Sequence, residues 1–472
     1  MLHLFSLTLA VALAHEGCTF AAQLPLSDNS GLIDVYQRAL DNNADLAAAR
    51  SDNAARQEQV PQARAGLLPD LSAGAASRSV RTQFNQPATT FDRSGTAWQA
   101  TLTQPVFHAD RWFGLAAAQA VSAQATIQLA AVEQHLVLQT AEDYFSVLRV
   151  QDGLAAFKAE ENALKRQLDQ SQQRFSVGLS DQTDLAQAQA GYDTARANRI
   201  VGERQVDDAF ERLTTLTNHP YHYVDGMSHQ LPVVPPAPND AHLWVDTAQQ
   251  QNLTLQADDF AVVSAEQTLR QRQAGHAPTV DAVLAYQQGD NDSLGFTNPN
   301  PSVVYGGDVS QRSISLQVRI PLYSGGLISA YVREAYARLS ETQALREGAR
   351  RQVVEDTRNL HRAVNTDVEQ VEARRQSIVS NQTAVQATQV GYQVGTRNIV
   401  DVLDAQRQLY NAVRDYNNSR YDYILDSLRL RQAVGTLAPS DLQALVPFLK
   451  SDYRPDIDFL PTALTSSART SR

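Results

Sequence analysis

Apolar residues recur every seven positions along two long stretches of the chain, one in each half. In the second half they occupy Val364, Val371, Ile378, Val385 and Tyr392, and after a short interruption Val402, Leu409, Tyr416, Tyr423 and Leu430. The first-half counterparts, 217 positions earlier, are Val147, Leu154, Glu161, Leu168 and Phe175, followed by Leu185, Tyr192, Arg199, Val206 and Leu213. A sustained seven-residue period predicts long helices that supercoil around a partner.

The predicted helices are long enough to exclude an ordinary globular fold. Residues 108–174 and 328–390 contain no proline and few glycines, so little in either stretch would interrupt a helix. At 1.5 Å per residue, each helix would extend roughly 100 Å. The sequence therefore predicts a mainly α-helical, elongated protein.

A second pattern, the alternation of apolar and polar residues, predicts four strands, at about 69–80, 95–106, 278–288 and 311–322. The alternation is clearest at Ile314, Leu316, Val318 and Ile320. Long polar loops are expected at about 78–95 and 288–311. A half-buried soluble sheet and a transmembrane barrel both fit one apolar face, and strands of about ten residues with long loops favour the barrel. Four strands cannot close a barrel alone, so several copies would be needed.

The chain is a tandem duplication. A-G-L-L-P-D-L at 65–71 matches A-G-H-A-P-T-V at 274–280, Q-P-V-F at 104–107 matches I-P-L-Y at 320–323, and V-G at 177–178 matches V-G at 394–395, with offsets of 209, 216 and 217. The predicted division is a signal peptide (1–22), a first repeat (23–217, helical hairpin from about 108), a connector (218–241), a second repeat (242–437, helical hairpin from about 324) and a polar tail (438–472). The tail beyond Leu449 is predicted to be disordered.

Each V-G element is predicted to link two antiparallel helices. Gly178 and Gly395 suit the left-handed conformation that commonly ends a helix. Asp181 and Asn398 then follow as candidate N-caps. An aspartate lies three residues after each cap, where the first helical turn favours negative charge. These are Asp184 and Asp401.

The net charge argues against a nucleic-acid-binding protein, and the amino-terminal residues indicate an exported one. The net charge of −11 and the lack of clustered Lys and Arg disfavour a nucleic-acid partner. The first fourteen residues form an apolar segment typical of a secretory signal, with cleavage after Ala14 or near Ala22. The single cysteine, Cys18, is either removed with this signal or a lipid-anchor site. No run of 18 apolar residues follows residue 22, so a membrane-embedded protein would have to use strands.

Several motifs together resemble one family, the TolC outer-membrane efflux and type I secretion channels. They are Y-x-V-G-T-R-x-I-V-D-V-L-D-A from 392, R-Y-D-Y-I-L at 420–425, G-T-L-A-P-S-D-L at 435–442 and R-Q-L-D-Q-S-Q-Q-R-F-S-V-G-L at 166–179. The resemblance covers roughly residues 30 to 445. It implies a homotrimer with a twelve-stranded outer-membrane β-barrel, four strands per protomer, and a long periplasmic coiled-coil tunnel. It also implies two partners, a periplasmic adaptor and an inner-membrane pump of the ABC, RND or MFS type.

The resemblance also implies a gate at the periplasmic tip. Tyr392 and Arg397 would bond to Thr183 and Asp184 of the neighbouring hairpin, while Asp401 and Asp404 would face the constriction and favour cations. By spacing alone, an ordinary helix-start arginine on a wet surface is the favoured interpretation of Arg397, and helix-start charges are the commoner interpretation of the two aspartates. The resemblance reverses this preference for Arg397. Gln389 stands where an acidic residue is expected, which leaves a further link to Gln167 in doubt.

Other candidate sites keep two interpretations. His219, His222, Asp225 and His229 have residue types that bind zinc, but they also suit an irregular connector. Trp98, Tyr286 and Tyr305 are interfacial aromatics of the barrel or packing residues. The pair Asp401 and Asp404 has no nucleophile or oxyanion donor beside it, so no enzyme activity and no cofactor are expected.

The predicted function is a passive exit duct for small toxic compounds, secreted proteins or both. The chain has no G-x-x-x-x-G-K-[ST] phosphate-binding loop, so the transport energy would come from partners. The alternative is a soluble periplasmic coiled-coil scaffold.

Overall fold

The computed structural model describes residues 31–294 and 307–460. The predicted signal peptide, Cys18, Tyr305 and residues 461–472 lie outside the described residues. In the first repeat, α1 (Leu32–Asn42), α2 (Ala44–Gln57) and α3 (Gln59–Ala65) precede β1 (Asp70–Asn85), β2 (Ala88–Phe107), α4 (Ala109–Ser176) and α5 (Gln182–Thr217).

The second repeat has the same plan of short helices, two strands and two long helices, but only two helices precede its strands and a short helix lies between the strands. After β3 (Gly226–Met227) come α6 (Ala241–Gln251), α7 (Leu253–Ala274), β4 (Thr279–Asp290), the short α8 (Asn291–Leu294), β5 (Asp308–Arg319), α9 (Leu327–Gln393) and α10 (Ile399–Ala433). The chain continues through α11 (Pro439–Leu445), a 3₁₀ turn (Val446–Phe448), β6 (Leu449–Lys450) and α12 (Pro455–Asp458).

The four predicted strands form one antiparallel sheet in the order β1-β2-β4-β5. Leu71, Leu102, Leu284 and Ile314 lie side by side across it, so the apolar face predicted from the alternation runs over all four strands. Among the described residues, the outer strands β1 and β5 are each paired on one side only, so the sheet has two open edges. Unpaired edge groups are a template for pairing with another chain.

The predicted loop at 78–95 is wrong. β1 and β2 pair continuously up to Asn85 and Ala88. Arg81 donates across the pair to Asp92, with 2.6 Å between Nε and Oδ1. The outer parts of both strands carry polar residues on both faces, so they show no alternation of apolar and polar residues. Backbone hydrogen bonds between the strands form there without an apolar face. The second predicted loop is shortened in the same way, since β4 extends to Asp290 and β5 begins at Asp308.

The predicted long helices are present. α4 has 68 residues and α9 has 67, which corresponds to roughly 100 Å each. In the second half, Val364, Val371, Ile378 and Tyr392 are buried as the seven-residue period predicted. In the first half, two charged residues occupy period positions, and they pair with each other. Arg199 Nε lies 2.6 Å from Glu161 Oε2.

Five helices before the strands have no counterpart among the elements predicted from the sequence. They are α1, α2 and α3 in the first repeat and α6 and α7 in the second. Asn43 and Asn252, 209 positions apart, are equivalent N-caps that accept from the backbone N–H groups of Leu46 and Leu255. An asparagine before an alanine- or leucine-rich run was the sequence signal for α2 and α7.

The prediction of disorder beyond Leu449 is wrong for residues 449–460. β6 pairs with β3 of the connector, and Tyr453 and Phe459 are buried. The main core lies here, at mid-length of the long helices, around Tyr144, Phe145 and Tyr421. Polar composition suggested a loose tail, whereas a few aromatic side chains attach it to this core.

The expectation that no helix could span a membrane also needs correction. Among the described residues, α4 is long and apolar enough to do so by length and composition alone. Its contacts with α5, α7 and α10 give a different reason for its apolar composition, because a helix packed on several sides needs small and apolar residues around much of its circumference.

Candidate gate at the helical tip

The two V-G turns connect the helices of the two hairpins, α4 to α5 and α9 to α10. Gly178 and Gly395 adopt φ angles of 75° and 78°, a conformation that costs glycine little and other residues more. The caps that follow are as predicted. The Asp181 carboxylate accepts from the Asp184 N–H at 2.8 Å, and the Asn398 side chain accepts from the Asp401 N–H at 2.9 Å. Each turn therefore positions its following helix through local bonds.

Tyr392 lies against a small apolar cluster near the tip. The residue is 7% exposed, and the Arg174 guanidinium carbon lies 4.9 Å from the ring centroid. The cluster joins the two hairpins, and its other members are Leu164, Ala195, Ile399, Val402 and Leu403. The Tyr392 hydroxyl is buried without a hydrogen-bond partner in the single chain. A partner from a neighbouring copy would relieve this cost.

Arg397 lies over the end of α9 with its side chain largely exposed to solvent. Its side chain is 63% exposed, and Nη1 lies 3.8 Å from Asp401 Oδ2. A Cβ on Gly391 would lie 2.7 Å from Arg397 Cγ, so glycine at 391 lets the arginine fold back over the end of α9. The sequence reasoning missed Gly391, although a second glycine four residues before Gly395 was its signal.

Thr183 and Asp184 belong to the other hairpin. Thr183 is exposed, and the Ser180 hydroxyl donates to Asp184 Oδ2 at 2.9 Å. Within the described part of one chain, neither residue is hydrogen-bonded to Tyr392 or Arg397. The single chain thus brings the four proposed gate residues to the same end of the molecule without joining them.

Asp404 is exposed and Asp401 half-buried, and each carboxylate has a hydrogen-bond partner. Asp401 Oδ2 accepts from the Asn398 N–H at 3.4 Å, which completes a capping box. Arg407 Nη1 donates to Asp404 Oδ1 at 3.0 Å. Each carboxylate therefore has a local partner, and the charge of Asp404 is partly offset by Arg407.

The doubtful Gln389–Gln167 link remains unformed in the single chain. Gln167 is buried, and its Nε2 has no hydrogen-bond partner. Gln389 is half-buried on the other hairpin. Gln167 therefore resembles Tyr392, because both present a buried polar atom near the tip that one chain leaves unsatisfied.

In the connector, His229 is bonded to other parts of the protein through both ring nitrogens. His229 Nε2 lies 2.8 Å from the Asp458 carbonyl, and its Nδ1 lies 3.0 Å from Arg420 Nη1. Burial and the Arg420 charge lower the pKa of His229 to about 4. In the described part of the chain, no three His, Cys, Asp or Glu residues are grouped to hold a metal ion. The geometry thus gives the zinc interpretation no support.

Two buried acidic sites at mid-length were not predicted. Asp152 accepts hydrogen bonds from the hydroxyls of Tyr421 and Tyr453, and burial raises its pKa to about 6. Burial, with the nearby charges of Asp426 and Asp422, raises the pKa of Asp367 to about 7. The partners of both aspartates lie far away in sequence, so spacing could not have revealed them.

Two of the predicted barrel aromatics, Trp98 and Tyr286, lie in the described part of the sheet. Trp98 and Tyr286 pack against each other, with ring centroids 5.1 Å apart, on neighbouring strands. Trp98 is exposed in the single chain. The pair lies on the apolar face, which suits both the interfacial and the packing interpretation.

Comparison with known proteins identifies the family. The family model described as outer membrane efflux protein matches residues 35–219 and 244–436. Over 420 residues the chain is 33% identical to the outer membrane protein TolC of Vibrio cholerae, covering 89% of this chain and 94% of that protein. It is 28% identical to the proteases secretion protein PrtF of Dickeya chrysanthemi, covering 89% of this chain and 91% of PrtF.

The fold has solved counterparts. The outer membrane protein VceC of Vibrio cholerae superimposes with a TM-score of 0.74 at 17% identity, over 86% of this chain and 96% of VceC. The four-stranded sheet and the two long hairpins are therefore the architecture of an outer membrane channel. The chain belongs to the family of outer membrane efflux proteins, and it is a channel protein of the outer membrane whose helices extend into the periplasm.

Proposed function

We propose that three copies of this chain form an outer-membrane exit duct for efflux and type I secretion. The observation that carries the proposal is a four-stranded sheet with two open edges at one end of two helical hairpins roughly 100 Å long. In lipid, every unpaired edge group is costly, so the edges need neighbouring copies. Twelve strands from three copies would close a barrel, and the hairpins would continue it as a tunnel.

The duct is passive in this proposal. The relatives are named for efflux, secretion and membrane channels rather than for a catalysed reaction. A periplasmic adaptor and an inner-membrane pump of the ABC, RND or MFS type would supply the substrate and the energy. The family description, outer membrane efflux protein, and the name proteases secretion protein PrtF support both efflux and protein secretion as activities of such a duct.

The proposed gate is at the tip. Tyr392 and Arg397 would bond to Thr183 and Asp184 of the neighbouring copy and hold the tunnel closed. The unpartnered Tyr392 hydroxyl and the exposed Arg397 guanidinium support this arrangement. Asp401 and Asp404 would form two carboxylate rings at the entrance, which would favour cations over anions.

Membrane fractionation and single-channel recording test the proposed function. We expect the protein in the outer-membrane fraction, extractable only with detergent, and we expect the purified protein to form discrete conducting channels in planar bilayers. Recovery in the soluble periplasm without detergent, together with the absence of channels, would instead establish the soluble coiled-coil scaffold.

A further inference from the structure

We propose that the middle of the α9–α10 hairpin is a proton-controlled hinge. A proton shared by Asp367 and Asp426 holds α9 against α10, and its loss lets the lower part of α9, which leads to Tyr392 and Arg397, move away from α10. The hinge rests on the proposed function, because it acts on the proposed gate from a site roughly 40 Å away along α9.

Two buried polar side chains interrupt the packing of α9 at mid-length. His361 Nε2 and Asp367 Oδ2 have no hydrogen-bond partner among the described residues. In the first hairpin, the equivalent of His361 is Tyr144, whose hydroxyl donates to the Asp225 carbonyl at 2.7 Å. A buried polar atom without a partner weakens packing, because it forfeits the hydrogen bonds that it would make in water.

The first hairpin has apolar residues where the second has a carboxyl pair. Asp367 and Asp426 correspond to Val150 and Ala209, 217 positions earlier. Ala209 is buried, and Val150 packs against the main core. The two hairpins therefore share one plan but differ in how their helices are held together at mid-length.

The two carboxyl groups are placed to share one proton. Asp426 lies within hydrogen-bonding reach of Asp367. Asp426 also accepts from Arg429 Nη1 at 2.9 Å, whereas the described part of the chain shows no ion pair of Asp367. Burial, with the charges of Asp426 and Asp422, raises the pKa of Asp367 to about 7. The proton is therefore held by Asp367 and donated to Asp426, and it is released close to neutral pH.

The charges on α10 around this site are also paired with α4. Arg149 Nη2 of α4 is paired with Asp422 at 2.5 Å, and Arg429 Nη2 with Glu142 at 2.7 Å. Both pairs join α10 to α4 rather than to α9. They would keep α10 in place when α9 moves.

The remaining charges near α9 at this level are exposed. At α6, which also packs against α9, they are Asp240, His242 and Asp246, while α7 contacts α9 nearer the sheet. Arg374 of α9 pairs with Asp415 of α10 at 2.8 Å, and these side chains are 41% and 46% exposed. Exposed ion pairs hold helices together only weakly. The buried Asp367–Asp426 contact is thus a link between α9 and α10 whose strength depends on pH.

Loss of the proton turns this contact from attraction to repulsion. Without it, the Asp367 and Asp426 carboxylates face each other with Asp422 nearby, and like charges repel strongly where water is scarce. Below this level, α9 packs mainly along α10 within one chain. Alkaline pH should therefore loosen the lower part of α9 and, with it, the gate.

Hydrogen exchange of the full-length protein in detergent tests the hinge. After correction for the intrinsic rate, we expect amides of residues 361–371 to exchange about tenfold faster at pH 8 than at pH 6, because opening releases the proton of Asp367. The matched control, Asp367→Val with Asp426→Ala, gives this hairpin the residues of the first and keeps His361. Its exchange should not depend on pH in this way.

Single-channel recording tests the link from the hinge to the gate. We expect wild-type channels to spend more time in a high-conductance state at pH 8 than at pH 6, and Asp367→Asn, which keeps a donor to Asp426, to show little change. Wild-type exchange at residues 361–371 without the pH effect would overturn the hinge. Exchange with the pH effect in channels whose openings ignore pH would overturn its link to the gate. A wild-type protein that forms no channels would overturn the proposed function, while exchange would still decide the hinge.

Discussion

At the scale of single residues, the tip of the protein presents buried polar groups that one chain does not satisfy. The Tyr392 hydroxyl and Gln167 Nε2 both lack a hydrogen-bond partner in the single chain. A buried polar group without a partner costs about 1–3 kcal/mol. Groups of this kind, gathered at one end of a rigid bundle, are suited to bonds that form in the closed assembly and break when it opens.

Removing the proposed gate arginine should open the tip. We expect Arg397→Ser to raise the single-channel conductance, because each link between hairpins that it removes is charge-assisted. Asp184→Ala should have the same effect, and the double variant should add little to either single change. Arg338→Ser, whose partner Glu341 is on the same helix and far from the tip, is the control and should leave conductance near the wild-type level. Unchanged conductance in all the gate variants would mean that packing alone holds the tip.

The two tip aspartates should determine ion selectivity. With both replaced by alanine, we expect reversal potentials in a salt gradient to show weaker cation preference, and we expect block by multivalent cations to disappear. The trimer should persist, since a ring of like charges contributes little to assembly. If selectivity and block both survive the double replacement, the aspartates serve only as helix-start charges.

Asp367 should make stability depend on pH. Its folded pKa of about 7 lies above the unfolded value, so the folded state holds a proton that the unfolded state has released between about pH 4 and 7. Stability should therefore fall as the pH rises through this window. Asp367→Asn should stabilise the protein at pH 8 by roughly 1–2 kcal/mol and have little effect at pH 4, as measured by thermal unfolding. An equal effect at both pH values would contradict the assignment.

At the scale of elements, the segment 449–460 is held by polar bonds to residues far away in sequence. Asn417 Nδ2 donates to the Phe459 carbonyl at 2.9 Å, and His229 Nε2 lies 2.8 Å from the Asp458 carbonyl oxygen. Tyr453 reaches Asp152, near the middle of α4. The segment thus fastens the connector to the long helices where the main core lies.

Loss of the Tyr453 hydroxyl should loosen this attachment. Tyr453→Phe removes one of the two tyrosine donors to buried Asp152, so we expect a loss of about 1–2 kcal/mol in stability and a further rise in the Asp152 pKa. Protease cleavage within residues 449–460 should become faster. Tyr336→Phe, at an exposed site on α9, is the control. Cleavage at the wild-type rate in Tyr453→Phe would show that apolar packing alone holds the segment.

At the scale of the whole molecule, the exposed apolar face of the sheet and its two open edges indicate assembly. Ile314 is 82% exposed and Leu316 66% exposed in one chain, both on an edge strand. Such a strand is an aggregation hazard in water. In a membrane, the apolar face suits lipid, while the edges require partners.

The assembled state should be a trimer with no stable membrane-embedded monomer. We expect light scattering of the detergent-solubilised protein to give three times the protomer mass of 51.8 kDa, less any processed signal peptide. The reason is that the open edges leave backbone groups unpaired in lipid. A monomeric mass with the strand content intact by circular dichroism would contradict this expectation.

The sequence by itself determined the elements whose signals are local. The seven-residue period predicted the long helices, strict alternation located the strands, and Gly178, Gly395, Asp181 and Asn398 marked the turns and caps. These features depend on residues within a few positions of one another, so the order of residues is sufficient evidence. The duplication was legible for the same reason, since it needs only a comparison of the chain with itself.

Tertiary structure alone decided the features that join distant residues. Tyr453 approaches Asp152 across 301 positions, and His229 approaches Arg420 across 191. Periodicity carries no information about such pairs. The packed tail, the extended β1–β2 hairpin and the raised pKa values of Asp152 and Asp367 therefore could not be predicted. In each case the stabilising partner comes from another element, and burial against it decides both the conformation and the charge state.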